Sequence, residues 1–157
     1  MALDLPPSGT RGIEFPRLMR RLMKSMSWMS DVMFRRGMKV QGRPLLRLTT
    51  VGAKTGEERR SILGWFEDGD RRDSWIVVAS AAGSARHPGW AHNLAKNPNQ
   101  ATIEVGDRTV PVSAELIEGP EREMMWERIV SLAPGYGKYT TQTDRELPVI
   151  RLVERRS

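Results

Sequence analysis

Lys54, Arg59 and Arg60 stand within a few positions of one another, in a stretch (residues 45–63) punctuated by Gly52 and Gly56. Leu45, Leu46, Leu48, Thr49, Thr50 and Val51 precede the glycines, and Ile62 and Leu63 follow them. These residues favour extended backbone, so the stretch predicts a strand, a tight turn and a second strand. Glycines at such a turn permit positive φ and free backbone N–H groups. A lysine point charge and two guanidinium forks beside those amides make a cradle for a phosphate or carboxylate. The same charges also suit an ordinary solvated hairpin, and the residue pattern alone leaves both readings open. A nucleotide P-loop is excluded, because it needs Gly-Lys-Ser/Thr opening a helix, whereas Lys54 follows Ala53 and leads into a strand. Lys54-Thr55-Gly56 also occurs in penicillin-binding enzymes, but the companion Ser-x-x-Lys and Ser-Asp-Asn are absent.

Two further segments could carry chemistry. An apolar run over residues 74–80 ends in Ala81, Ala82, Gly83, Ser84 and Ala85, small residues that let backbone approach another group closely. Tyr136 sits between Gly135 and Gly137, which predicts a loop phenol placed to donate a proton or simply to pack down. His87 and His92 lack the i, i+4 spacing of a helical metal pair. There is no cysteine and no Gly-x-Ser-x-Gly, so thiolate chemistry and a hydrolytic triad are excluded and a metal enzyme is disfavoured.

The net charge of +6 over 157 residues suits an anionic partner, whether a phosphorylated cofactor, nucleic acid or a membrane surface. No nucleic-acid partner is expected, because the basic residues form no aromatic-interleaved stripe. No run approaches the ~18 apolar residues of a membrane span, and the N-terminus shows no signal-peptide core, so a cytoplasmic protein is expected.

The elements that must position these residues follow in order. Residues 1–14, with Pro6, Pro7, Gly9 and Gly12, predict a loose arm. Over residues 15–36, Leu18, Leu22, Met26, Met29 and Met33 recur at helical spacing with Arg17, Arg20, Arg21 and Lys24 off that stripe. This amphipathic helix could pack on the core, cover a pocket or lie on a membrane surface. After a linker at residues 37–42 come strands near residues 45–51, 59–66 and 74–80, a short helix stopped by Asn97-Pro98, and strands at 101–105 and 109–117. A helix from Gly119 to Pro134, the tyrosine loop and a last strand over residues 148–153 complete the chain. Hairpins dominate, so the fold class is α+β, mainly β: a six-stranded, mostly antiparallel small barrel with flanking helices. The division expected is an arm and amphipathic helix over residues 1–41 and one globular domain over residues 42–157.

Taken together, Thr49-Thr50-x-Gly52-x-Lys54-Thr55-Gly56, Val78-Ala79-Ser80, Pro88-x-Trp90-x-x-Asn93-Leu94-x-x-Asn97-Pro98, Pro134-x-Tyr136-x-x-Tyr139 and Thr143-Asp144-Arg145-x-x-Pro148 resemble the deazaflavin-dependent (F420-dependent) nitroreductases and quinone reductases of actinobacteria. The resemblance covers roughly residues 42–152. It implies a split β-barrel that binds reduced coenzyme F420. Hydride then passes to a small, electron-poor acceptor: a quinone, nitroaromatic or unsaturated lactone or enone. It assigns the coenzyme's phosphate and acidic tail to Ala53, Lys54, Thr55 and Arg59, with Arg60, Ser61, Ile62, Leu63 and Gly64 following. Val78, Ala79, Ser80 and Ala81 lie against the ring in this assignment, and Gly89, Trp90, Ala91, His92 and Asn93 add contacts. Tyr136 and Tyr139 become the residues that orient or protonate the acceptor. The alternatives are an FMN-dependent enzyme of the same fold and a non-catalytic coenzyme carrier.

Overall fold

A computed structural model describes residues 2–156. Its centre is one sheet of seven strands, in the order β2-β1-β5-β6-β7-β4-β3. The strands are β1 (Leu45–Val51), β2 (Glu58–Gly64), β3 (Phe66–Asp68), β4 (Arg71–Val78), β5 (Ala101–Val105), β6 (Arg108–Ile117) and β7 (Val149–Glu154). All six pairings are antiparallel. The expected six strands become seven because the second expected strand breaks at Trp65. Phe66 leaves β1 and pairs with Ile76 instead.

That break shapes the molecule. β2 and β3 are the two outer strands of the sheet, yet only Trp65 separates them in the chain. One residue cannot span an open sheet of this width, so the sheet curls until its edges approach. The crossing residue is held from both sides, its N–H donating to the Pro44 carbonyl at 3.1 Å and its carbonyl accepting from Arg43 Nε at 3.1 Å.

Curling leaves β4 with both faces buried, as its unbroken apolar run predicts. Trp75, Val77 and Ala79 join Leu46, Leu48, Ile103 and Leu152 in one core. Ile76 and Val78 face a second core with Phe66, Ile129, Leu147 and Val149. Trp90, Ala91 and Leu94 of α3 (Gly89–Lys96) close the first core; Ile129 of α4 (Gly119–Leu132) and Ala133 just beyond it enter the second.

Three expectations are corrected. The single helix over residues 15–36 is two, α1 (Arg17–Ser25) and α2 (Ser27–Arg35), which meet at Met26. Ser25 Oγ donates back to the Leu22 carbonyl at 2.8 Å, a competing bond that bends helices. Tyr136 lies in a helix, α5 (Gly135–Gln142), rather than a loop. Its flanking glycines serve close packing, not a turn: a Cβ on Gly137 would stand 3.2 Å from Val130 of α4. The arm over residues 2–14 is not loose but bonded along residues 83–95 and to Asp144.

Candidate functional site

The predicted residues gather in two places, at opposite ends of β2. The first is a cleft of about 1030 Å³ between the β1–β2 turn and α3. Ala53, Lys54, Thr55, Arg59, Arg60 and Ser61 line it from the hairpin, and Gly89, Trp90, His92, Asn93 and Lys96 line it from α3. Ala2 and Leu3 of the N-terminal arm complete the wall.

The turn is rigid because α3 holds it. Asn93 Oδ1 accepts from the Ala53 N–H at 2.9 Å, while its Nδ2 donates to Thr50 Oγ1 at 3.1 Å. Lys96 Nζ donates to the Ala53 carbonyl at 2.6 Å. Inside the turn, the Gly52 N–H donates to Glu57 at 2.7 Å and the Gly56 N–H to Gly52 at 2.9 Å. Gly56, at φ 73°, takes the left-handed conformation that side chains resist. Of the cations on this cleft, only Arg59 reaches a carboxylate among the described residues: Glu57, at 3.4 Å and exposed. Lys54, Arg60 and Lys96 therefore give the cleft a net positive charge that an anion would neutralise.

The second place surrounds Tyr136, which meets Phe66 edge-on at 5.4 Å and Tyr139 at 5.7 Å. Gln41 Nε2 donates to Tyr139 Oη at 3.1 Å, and Arg43 stacks 4.8 Å above the Phe66 ring. Gly64, at the end of β2, leaves room here: a Cβ on it would lie 3.6 Å from Tyr136 Oη. Burial raises the Tyr136 phenol above its ordinary range, Tyr139 adds to the rise and Arg43 opposes it. Tyr136 therefore carries its proton at neutral pH. From Arg60 to Gly64 the strand spans about 13 Å at ~3.3 Å per residue, so the basic cleft and the phenols share one strand but not one pocket.

The strand end over residues 78–81 meets the tyrosines only through the core, where Val78 belongs to the cluster against which Tyr136 and Tyr139 pack. Val78 and Ala79 are buried in the core, as is Ala91 of α3, so each can offer a ligand only its backbone. Ser80 and Ala81 are half-buried. Beyond them, Ala81 and Ala82 both adopt positive φ, at 45° and 52°, a strained state for alanine. Buried Arg145 holds this segment: Nη1 donates to Ala79 O at 2.9 Å, Nη2 to Ser80 O at 2.8 Å and Nε to Ser84 O at 3.0 Å. Ile62 and Leu63 continue along β2 beyond the cleft, with Leu63 packed on the core.

Sequence reasoning missed Lys96, Gln41 and the role of Arg145. Lys96 was detectable, since it stands three residues after Asn93 and so shares its helix face. Gln41 left no signal, being placed only by the path of residues 37–44.

Comparison with known proteins shows the family. A family model described as F420H(2)-dependent quinone reductase matches residues 19–154. An F420H(2)-dependent quinone reductase of Mycobacterium tuberculosis (strain H37Rv) is 36% identical over 115 residues, covering 71% of this chain and 74% of that one. A solved F420-H2 dependent reductase superposes with TM-score 0.61 at 37% identity, over 74% of this chain and 99% of its own. Another solved structure, described as a domain-swapped dimer, gives TM-score 0.62 at 32% identity, over 83% of this chain and 98% of its own.

Proposed function

The chain belongs to the F420H(2)-dependent quinone reductase family, which makes it an F420-dependent reductase of quinone-type acceptors, and we propose that the Lys54 cleft grips the coenzyme's anionic part while Tyr136 serves the acceptor. The observation that carries this reading is the excess of cations on a cleft of about 1030 Å³, which fits a phosphorylated, acidic group. Bound there, reduced F420 supplies the hydride. The protein supplies the rest. Lys54, Thr55, Arg59, Arg60 and Ser61 bind the anion, with Gly89, Trp90, His92 and Asn93 forming the opposite wall. Ile62, Leu63 and Gly64 carry the strand toward the phenols, and Val78, Ala79, Ser80 and Ala81 offer backbone against the ring. Ala91 acts only from beneath, by seating α3. Tyr136 holds a proton for the reduced acceptor and Tyr139, tethered by Gln41, orients it. The curled sheet fits a split β-barrel, a reading supported by the edges that meet through Trp65.

Fluorescence titration with F420, and with FMN as the control phosphate, tests this, followed by reduction of menadione with reduced F420. F420 binding with turnover is expected. Tyr136→Phe should lower turnover about 10²-fold, as for loss of a general acid, with coenzyme affinity unchanged. An unaltered rate would assign the proton elsewhere. Binding without turnover would favour a carrier, and preference for FMN would retain the fold while overturning the cofactor.

The acceptor class gives the N-terminal helices a role. Among the described residues no helix is long and apolar enough to cross a membrane. Yet Leu18 is 80%, Leu22 58% and Trp28 62% exposed, with Arg17, Arg20, Arg21 and Lys24 on the opposite side of α1. Such a surface suits peripheral attachment to anionic lipid, on the cytoplasmic side where quinone acceptors would be met. Co-sedimentation with phosphatidylglycerol vesicles should be strong, and should disappear in Leu18→Glu/Leu22→Glu. Equal sedimentation of both proteins would rule this attachment out.

A further inference from the structure

Residues 2–18 lie outside the stretch the family model matches, which begins at residue 19. Residues 3–13 are nevertheless bonded to the body of the fold. The Leu3 N–H donates to Ala95 of α3 at 2.7 Å, Gly9 to Ala85 at 2.8 Å and Ile13 to Gly83 at 3.0 Å. Leu3 and Leu5 pack on the first core beside Trp90 and Leu94.

Between these bonds the strap is latched twice by buried or close-fitting groups. His87 is buried, and its Nε2 donates to the Pro6 carbonyl at 2.5 Å. The tautomer follows from the other nitrogen, since Nδ1 must accept from Arg145 Nη1 at 2.8 Å. One guanidinium therefore holds both the strained segment over residues 79–84 and the histidine that holds the strap. Farther along, the Asp144 carboxylate accepts from the Thr10 N–H at 2.8 Å, the Thr10 hydroxyl at 2.5 Å and the Arg11 N–H at 2.9 Å. Gly12 permits the approach: a Cβ there would stand 2.3 Å from Ala85 N and 2.7 Å from Ser84 C, both backbone atoms.

We infer that residues 2–13 are part of the coenzyme site, a strap whose first residues, Ala2 and Leu3, wall the basic cleft beside Lys54, Arg60 and Lys96. The inference rests on the F420 assignment above. An apolar wall keeps water from the bound anion, which strengthens its attraction to the cations and slows its escape. The latch thus serves two ends at once, seating Leu3 and Leu5 on the first core and setting Ala2 and Leu3 at the cleft wall.

The test compares three chains by fluorescence titration with oxidised F420. Gly12→Val displaces the strap by backbone collision and alters no residue on the cleft. Deletion of residues 2–5 removes the wall and leaves the Gly9, Gly12 and Asp144 contacts intact. Each should raise the Kd about tenfold, which is ~1.4 kcal/mol, mainly through faster dissociation. Hydrogen exchange on the unaltered chain supplies a readout that needs no variant: F420 should slow exchange of the Leu3 amide about tenfold relative to the free protein. Unchanged Kd in both altered chains, or unchanged Leu3 exchange on F420 binding, overturns the strap while sparing the coenzyme assignment. Failure of the unaltered chain to bind F420 overturns both.

Discussion

Asp68→Ala is expected to destabilise the fold by about 3–5 kcal/mol, the range for removing one member of a buried ion pair. Asp68 is 5% exposed, accepting from Ser74 Oγ at 2.6 Å, Arg151 Nε at 2.7 Å and Arg151 Nη2 at 3.2 Å. It ties β3 to β7 across β4, at the outer corner of the sheet. Without it, the largely buried Arg151 would retain only the exposed Glu121 at 3.2 Å and Glu115 at 3.7 Å. Burial pushes the Asp68 carboxyl upward, but the hydrogen bonds from Arg151 and Ser74 and the Arg151 charge outweigh it, so the net shift is below the ordinary 3.8. A carboxyl lowered on folding stabilises fully above its unfolded value and loses that contribution as pH falls through its folded one. Urea denaturation of both proteins should therefore show the full gap at neutral pH and a narrowing gap below about pH 4. Equal stabilities at neutral pH would mean that the pair contributes nothing net.

The double variant Lys54→Ala/Arg60→Ala is expected to raise the Kd for F420 by about 10²–10³-fold. Each charge-assisted contact contributes roughly 1.5–3 kcal/mol, and two cations on one anion add less than fully. Both side chains are exposed, so thermal stability should not change. Titration at low and high salt separates charge from shape. Wild-type affinity should fall with ionic strength, and that of the double variant should fall less. An unaltered Kd would remove the basic turn from the site.

The hairpin that carries Lys54 was legible because its information is local. Gly52, Gly56 and the β-branched residues around them specify strand and turn within a few positions. α3, β5, β6 and α4 were legible for the same reason, each bounded by its own Gly or Pro signals. The rest depends on contacts distant in sequence. Nothing local says that Phe66 abandons the strand begun at Glu58, because the reason is Ile76 and the curl of the whole sheet. Gly135 and Gly137 read as breakers until Gln41 and Val130 are seen pressing against them. The proline- and glycine-rich arm read as loose because its partners, Asp144, His87 and Gly83, lie far along the chain. In the candidate site, the basic half was visible as charge and spacing. The groups around Tyr136 were not, since Gln41 and Arg43 reach it only through folding.

β7 lies between β6 and β4, although it follows all six other strands in the chain. Until residue 154 has left the ribosome, no ladder joins the β3–β4 hairpin to β2, β1, β5 and β6. Both flanking strands meanwhile present open edges to solvent. The Lys54 turn and α3 are synthesised before β7 and already have each other as partners. The emerging polypeptide can thus pair its Lys54 hairpin with α3 first, and closure of the sheet waits on the segment from Val149 to Glu154.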